Sequence, residues 1–256
     1  MKSDEMNLKM HVFETVHDHC VLPEMFMVAR LDGRNFTRLT KETHDFEVPF
    51  DRRFHDYMIE TTQHLMNCGC QVVFGYTQSD EISLLLHLAE SAFGRRVRKL
   101  NSVLAGEASA KFSLLLGDLA SLDCRIRELP NEDLVVDYFR WRNEDAHRNA
   151  LNAHCHWRLI GEGKSAAEAE RSLRGMSGAA KNEFLFQRGI NFNDLPLWQR
   201  RGTGLYWEAF EKGASNPVTG GMVMAERRRI KVDTELPMRD AVGEFVKGLL
   251  SASTCP

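Results

Sequence analysis

The sequence predicts an α+β fold: a mixed or antiparallel sheet in βαββαβ order, with an attached helical layer. Three observations carry that expectation. Short apolar runs bounded by turn residues read as buried strands near 25–31, 72–76, 81–88 and 122–129. Apolar residues at helical spacing fill the intervals between them. From about 131 to 188 the pattern stays helical.

Taken in order, "MFMVARLDGRNF" opens with a buried strand that stops at Asp32-Gly33. "PFDRRFHDYMIETTQHLMNC" places Phe54, Met58, Leu65 and Met66 at helical spacing. "VVFGYTQSDEISLLL" is two apolar runs joined by a polar tip, a hairpin. A long helix is expected over about 95–116, with Val97, Leu100, Leu104, Ala108 and Leu115 near one face. "LDCRIREL" supplies the fourth strand. In the helical stretch, Ser165 to Glu168 fits a capping box and Gly189 a C-terminal stop. "RRRIKVDTEL" reads as a strand and "RDAVGEFVKGLL" as a closing helix. Repeats, low-complexity tracts and Pro/Ser linkers are missing, so residues 1–256 read as one domain with helical additions at about 131–190.

A chain with 43% hydrophobic and 27% charged residues leaves little room for extended disorder. A net charge of −3 announces no polyanion partner, but three basic clusters, 94–99, 199–201 and 226–231, make one plausible. Six cysteines without zinc-ribbon or thioredoxin spacing fit free thiols in a reducing compartment. "MKSDEMNLKM" has no signal-peptide character and no run approaches a membrane span, so a cytoplasmic location is expected.

The chemistry concentrates at the acids. Asp32 closes the first strand, Gly33 permits close backbone approach, and Asp80 and Glu81 sit at the hairpin tip. Two carboxylates with a backbone carbonyl are the hard oxygen ligands Mg²⁺ takes, usually completed by phosphates, and suit two-metal phosphoryl transfer. The basic run Arg95, Arg96, Arg98 and Lys99 at a helix start would suit a triphosphate. Ser-Asp-Glu and Asp-Gly are also ordinary turn sequences, so from these residues alone both readings stay open. Arg34 and Arg38 could reach phosphates or pair with acids. His11, His17, His19 and Cys20 lack the spacing of a closed zinc site, and His154 and His156 cannot share a helix face. Trp141, Trp157, Trp198 and Trp207 read as core more readily than as base-stacking platforms. "RRRIK" alternates poorly for a central strand, which makes it an edge or RNA-facing strand.

Five blocks, "LDGRNFTRLT", "QSDEISLLL", "WRNEDAHRNALN", "KNEFLFQRGINFN" and "RRGTGLYWE", resemble in order and spacing the tRNA-histidine guanylyltransferase family. They look closest to its guanylyltransferase-like branch. The resemblance implies a polymerase-palm fold that adds nucleotides to the 5′ end of tRNA in the 3′-to-5′ direction with two Mg²⁺. The 5′ end is first activated, by ATP where it is a monophosphate, and is then attacked by the 3′-hydroxyl of GTP or another nucleotide.

By the same resemblance Asp32, Gly33 and Asp80 would hold metal, with Glu81 in support. Arg34, Asn35, Ser79, Arg95, Arg96 and Lys99 would hold nucleotide and triphosphate. His147, Asn149, Arg227, Arg228 and Arg229 would face RNA, and a homotetramer or homodimer would form. Two departures stand out. Val48-Pro49-Phe50-Asp51 replaces a Lys-Pro-Asn-Asp block, which touches the activation step. The block tied to histidine-tRNA recognition keeps only His147 and Asn149 of its polar pattern, which favours templated 5′-end repair of tRNAs. Strict histidine-tRNA guanylylation, a palm-type cyclase that needs no RNA, and an idle tRNA-binding protein are the alternatives.

Overall fold

The computed structural model describes residues 3–215 and 222–253. Its elements are α1 (Ser3–Thr15), β1 (Phe26–Gly33), α2 (Phe36–Arg38), α3 (Arg52–Leu65), β2 (Val72–Gln78), β3 (Glu81–Leu86), α4 (Val97–Leu116) and β4 (Leu122–Leu129). They continue with α5 (Glu132–Gly161), α6 (Ala166–Leu173), α7 (Gly178–Phe186), α8 (Leu197–Arg201), β5 (Thr203–Ser215), β6 (Met222–Asp233) and α9 (Asp240–Ser253). The six strands form one sheet in the order β4-β1-β3-β2-β5-β6, and every pairing is antiparallel. The βαββαβ order is β1-α3-β2-β3-α4-β4.

Strand β1 is central and covered on both faces, which is why "FMVARL" reads as an almost unbroken apolar run. Met27, Ala29 and Leu31 enter the core beneath α3 and α4, whereas Phe26 and Val28 enter a second core beneath α5 and α9. Arg30 and Asp32 continue the second set at period two, so the α5 face turns polar toward the strand's C-terminal end. Helix α3 starts at a capped Asp51, whose carboxylate accepts the backbone N–H of Arg53 at 2.6 Å and of Phe54 at 3.3 Å. It packs on β2 at Gly75, where a Cβ would stand 2.8 Å from the Thr62 methyl.

The hairpin lies at 72–78 and 81–86, and the capping box of Ser165 and Glu168 is formed. Gly189 has φ 77° and accompanies the end of α7. Several expectations are corrected. The face of α4 is completed by Phe112, which is fully buried, and not by Leu115. Helix α4 begins at Val97 after a 3₁₀ turn over Ala92–Arg95. The stretch 131–188 is helical as expected and divides into three helices, the last two closing a third apolar cluster on the C-terminal half of α5. Four elements go beyond the sequence reading: α1, which buries no residue; the short α2; α8; and β5, which pairs with β2 only over Thr203–Tyr206. Beyond that register β5 and β6 continue as a two-stranded ribbon, in which β6 is the edge the basic run implied.

The five described cysteines are free; Cys255 lies outside the described residues. Among the described residues no helix is long and apolar enough to cross a membrane.

Candidate active site

Register brings the acids together. Asp32 on β1 stands directly opposite Glu81 on β3 and Asp123 on β4. Gln78 pairs with Glu81, so Ser79 and Asp80 form a two-residue tip, with Ser79 taking φ 53° to turn the chain. The tip is tied to β1 by the Gly33 N–H, which donates to the Asp80 carbonyl at 3.1 Å. Gly33 must be glycine for reasons of space: a Cβ there would fall 2.4 Å from the ring of Phe36. Three carboxylates from two strand ends and one turn therefore converge at one end of the sheet, and Asp123 adds a fourth beside them.

Their electrostatics differ. Burial pushes the Asp80 carboxyl up to about 6, and the neighbouring charges of Asp32 and Glu81 add to that rise. Glu81 is compensated by protein. Arg30 donates to one of its oxygens and Arg142, itself buried, donates to the other. Among the described residues the one ion pair of Asp32 is with Arg30, at 3.7 Å. The site thus holds one gripped carboxylate, Glu81, and two, Asp32 and Asp80, to which the described residues offer no ion pair closer than the 3.7 Å contact of Arg30 with Asp32.

Among the described residues no three His, Cys, Asp or Glu side chains gather into a preformed metal cage. Mg²⁺ ordinarily takes one or two carboxylates and completes its shell with water and phosphates. Asp32, Asp80 and the Gly33 carbonyl are a hard-oxygen donor set of that kind, and the raised Asp80 carboxyl marks charge a cation would relieve. These residues fit such an ion.

A cavity of about 130 Å³ opens beside Asp80, lined in part by Ser79, Thr77, Phe36, Asp51 and His55. Val48 forms part of its wall and is 45% exposed. Lys41 enters the same cavity from the turn after α2, with its Nζ 4.2 Å from the centre of the Trp157 ring. Burial lowers the Lys41 pKa, and the charge of Asp80 works against that fall. His55 is stacked on Trp198 at 4.2 Å and its Nε2 meets the Thr203 hydroxyl at 2.8 Å. Trp207 is half-buried against the first core, in line with the sequence reading, whereas Trp141 is exposed.

The other candidate residues fall in different places. Arg34 and Asn35 are exposed just past Gly33, and the Arg34 N–H donates to the Ser121 carbonyl at 2.8 Å. Arg38 pairs with Glu42 at 3.4 Å. Helix α4 starts beyond the far end of β3, about 17 Å along the strand from the acids at ~3.4 Å per residue. The basic run at its start is therefore remote from the acids within one chain. Arg95 is spent on structure, its guanidinium donating to the carbonyls of Val21, Leu22, Met25, Leu88 and Glu90. Arg96 and Arg98 hold Asp18, and Lys99 is exposed. His147 is half-buried on α5, edge-on to Phe192 at 5.2 Å. Asn149 is exposed and donates to Asp145 at 3.2 Å. Arg227, Arg228 and Arg229 are exposed on β6, where Arg229 pairs with Glu208 at 2.7 Å.

Arg30, Arg142 and Lys41 were missed in the sequence. Arg30 carried a signal: a charge two residues before Asp32 in an apolar strand must share its face. Arg142 carried none, because its partner is 61 positions away.

Residues 7–134 match the family model described as tRNAHis guanylyltransferase, and 133–240 match the Thg1 C terminal domain model. The chain is 36% identical over 196 residues to a probable tRNA(His) guanylyltransferase of Drosophila melanogaster, covering 73% of this chain and 68% of that protein. The Mus musculus counterpart is 34% identical over 208 residues, covering 77% and 69%. Among solved structures, a bacterial tRNA(His) guanylyltransferase (Thg1)-like protein in complex with ATP superposes with a TM-score of 0.75. It shares 28% identity and the match covers 96% of this chain and 99% of that one. The tRNA(His) guanylyltransferase of Saccharomyces cerevisiae gives 0.70 at 25% identity, over 84% and 94%.

Proposed function

From the premise that the chain belongs to the tRNA-histidine guanylyltransferase family of nucleotidyltransferases, we propose that it adds nucleotides to the 5′ end of tRNA in the 3′-to-5′ direction, as templated 5′-end repair. The observation that carries this reading is the convergence of Asp32 and Asp80 at a tip closed by Gly33, beside a cavity lined by Ser79, Thr77 and Lys41. In this reading Asp32, Asp80 and the Gly33 carbonyl would hold two Mg²⁺, which would supply activation of the attacking hydroxyl and charge stabilisation of the leaving group. The chain's own share is positioning. Arg30 and Arg142 fix Glu81, and through its strand fix the Asp80 tip. Ser79, Arg34 and Asn35 lie at the same end of the sheet to receive nucleotide phosphates, and Lys41 supplies the cation that Val48 does not. That charge neutralisation and orientation carry the chemistry is general for phosphoryl transfer.

We also read the chain as one catalytic domain in a cytoplasmic homotetramer or homodimer. Support for one domain comes from β5, which the C-terminal family model spans and which completes the sheet begun by the N-terminal one. Nucleotide binding is supported by relatives whose structures are complexes with ATP and with GTP. A second reading, strict guanylylation of histidine tRNA, is favoured by the activity in the names of the curated relatives. The deciding experiment supplies labelled nucleotides, Mg²⁺ and tRNAs lacking their first 5′ nucleotide. Incorporation that follows the templating base on several tRNAs supports repair. Addition of G to histidine tRNA alone, lost on changing its anticodon, supports the second reading, and no incorporation on any tRNA refutes both.

A further inference from the structure

A second cleft, of about 660 Å³, opens on the α5 side of the sheet. Arginines from three separate segments converge on it: Arg140 and Arg148 from α5, Arg200 and Arg201 from α8, and Arg239 just before α9. The acids that face them are few and mostly committed. Glu144 and Asp240 pair with Arg140 at 3.3 and 3.0 Å, and Asp145 is shared by Arg142 and Arg148. Asp194 acts on Arg200 through charge only. Among the described residues no carboxylate forms an ion pair with Arg200, Arg201 or Arg239.

The cleft is also short of hydrogen-bond acceptors. Arg200 is 6% exposed and donates to the carbonyls of Leu195 at 2.9 Å and Asn193 at 2.7 Å, neutral partners that leave its charge uncancelled. Arg201 reaches the Leu236 carbonyl at 3.1 Å, but its buried Nε has no partner, and neither has the buried Nδ1 of His147. Folding has concentrated like charges and left buried polar atoms unmade, each of which is costly. A bound anion would offset both. Planar guanidinium forks pair bidentately with phosphate oxygens, and Arg200, Arg201 and Arg239, which no described carboxylate pairs, backed by Arg140 and Arg148, suit a polyanion better than a single ion.

We propose that this cleft is a phosphate-binding site distinct from the acidic centre, which holds phosphates of the substrate during nucleotide addition. The inference rests on the functional reading above for what the phosphates belong to. The cleft is mechanically joined to the acids. Tyr76 on β2 donates its hydroxyl to the Arg201 carbonyl at 2.9 Å, and Asn143 donates to the same oxygen at 2.9 Å, one residue from the arginine that grips Glu81. RNA held there would be anchored against the hairpin that presents Asp80.

Arg239 is the residue to change, because it is exposed and its loss spares the carbonyl clamps of Arg200 and Arg201. Arg239→Gln and Arg239→Glu would be compared with wild type and with Arg98→Gln, a charge control at the opposite end of the sheet. Titrations of a tRNA transcript at several salt concentrations, and of GTP, are read beside thermal melting. An RNA source predicts about five- to tenfold weaker tRNA binding, a log K–log salt slope shallower by about one, and unchanged GTP affinity. A nucleotide source predicts weaker GTP binding at unchanged tRNA affinity. Either result supports the cleft. Unchanged affinity for both in Arg239→Glu, or an equal loss in Arg98→Gln, overturns it. Nucleotide addition by the wild-type protein is assayed in the same preparation, so failure of the functional reading is seen separately from failure of the cleft.

Discussion

Replacing Asp80 by Asn should stabilise the metal-free protein while abolishing its activity. The Asp80 carboxyl is raised from 3.8 to about 6, chiefly by burial and then by Asp32 and Glu81. Holding that group ionised at pH 8 therefore costs the fold about 3 kcal/mol. Because the folded chain binds this proton more tightly than the unfolded chain, the cost is fully present above pH 6. It falls away as the pH drops through 6 toward 3.8. Asn keeps the shape and removes the charge. Urea unfolding in EDTA should show Asp80→Asn up to about 3 kcal/mol more stable than wild type at pH 8, with the gain shrinking to near zero at pH 4. With Mg²⁺ and GTP added, wild type should recover its deficit and the variant should not. An Asp80→Asn protein less stable than wild type at pH 8, or equally stabilised at both pH values, would show that the tip stores no uncompensated charge.

His55 should act in the opposite direction over the same range. Burial lowers its pKa from 6.5 to about 4, so the stability it contributes is complete above pH 6.5 and is lost as the pH falls toward 4. The loss is on the order of 3 kcal/mol. It should appear as a wild-type-minus-His55→Gln difference in urea midpoints, with Trp198 fluorescence as the probe. Gly33→Ala should drive a methyl into the Phe36 ring, itself held against Phe112 at 5.0 Å and Phe54 at 6.0 Å. An overpacking cost of about 1–3 kcal/mol and loss of activity are expected, read by melting and by nucleotide addition. Lys41→Met should weaken GTP or ATP binding about tenfold at unchanged stability. Unchanged nucleotide affinity would leave Lys41 as a partner of Trp157 only.

What the sequence disclosed depended on distance along the chain. The strands and helices of the βαββαβ unit are legible because each buries its own apolar run, and Asp32 and Asp80 are legible because both end such runs at a turn. The Arg142–Glu81 contact is not, since an arginine in "WRNED" looks like any solvated helix residue until α5 is laid across β3. The position of the basic run at 94–99 is hard to read for a related reason. Its helix starts next to the hairpin in sequence but at the far end of β3 in space, because the chain must run the length of that strand first. β5 was hidden by "TGLYWEAFEKGAS", where glycines and charges interrupt the alternation over the part that leaves the sheet. The arginine cleft gathers from three segments and had no local signature at all.

If Asp32 and Asp80 carry phosphoryl transfer to a tRNA 5′ end, nucleotide addition should depend on both carboxylates. The most direct test is single-turnover incorporation of labelled GTP, with Mg²⁺, into a tRNA lacking its first 5′ nucleotide. Wild type, Asp32→Asn and Asp80→Asn would be compared on triphosphorylated and monophosphorylated ends, with ATP present or withheld, and with tRNA binding measured in parallel. Templated incorporation by wild type and at least a thousandfold loss in each variant, at unchanged tRNA affinity, are the expected results. Incorporation that survives either substitution, or wild-type protein that binds tRNA and adds nothing to any end, would contradict it.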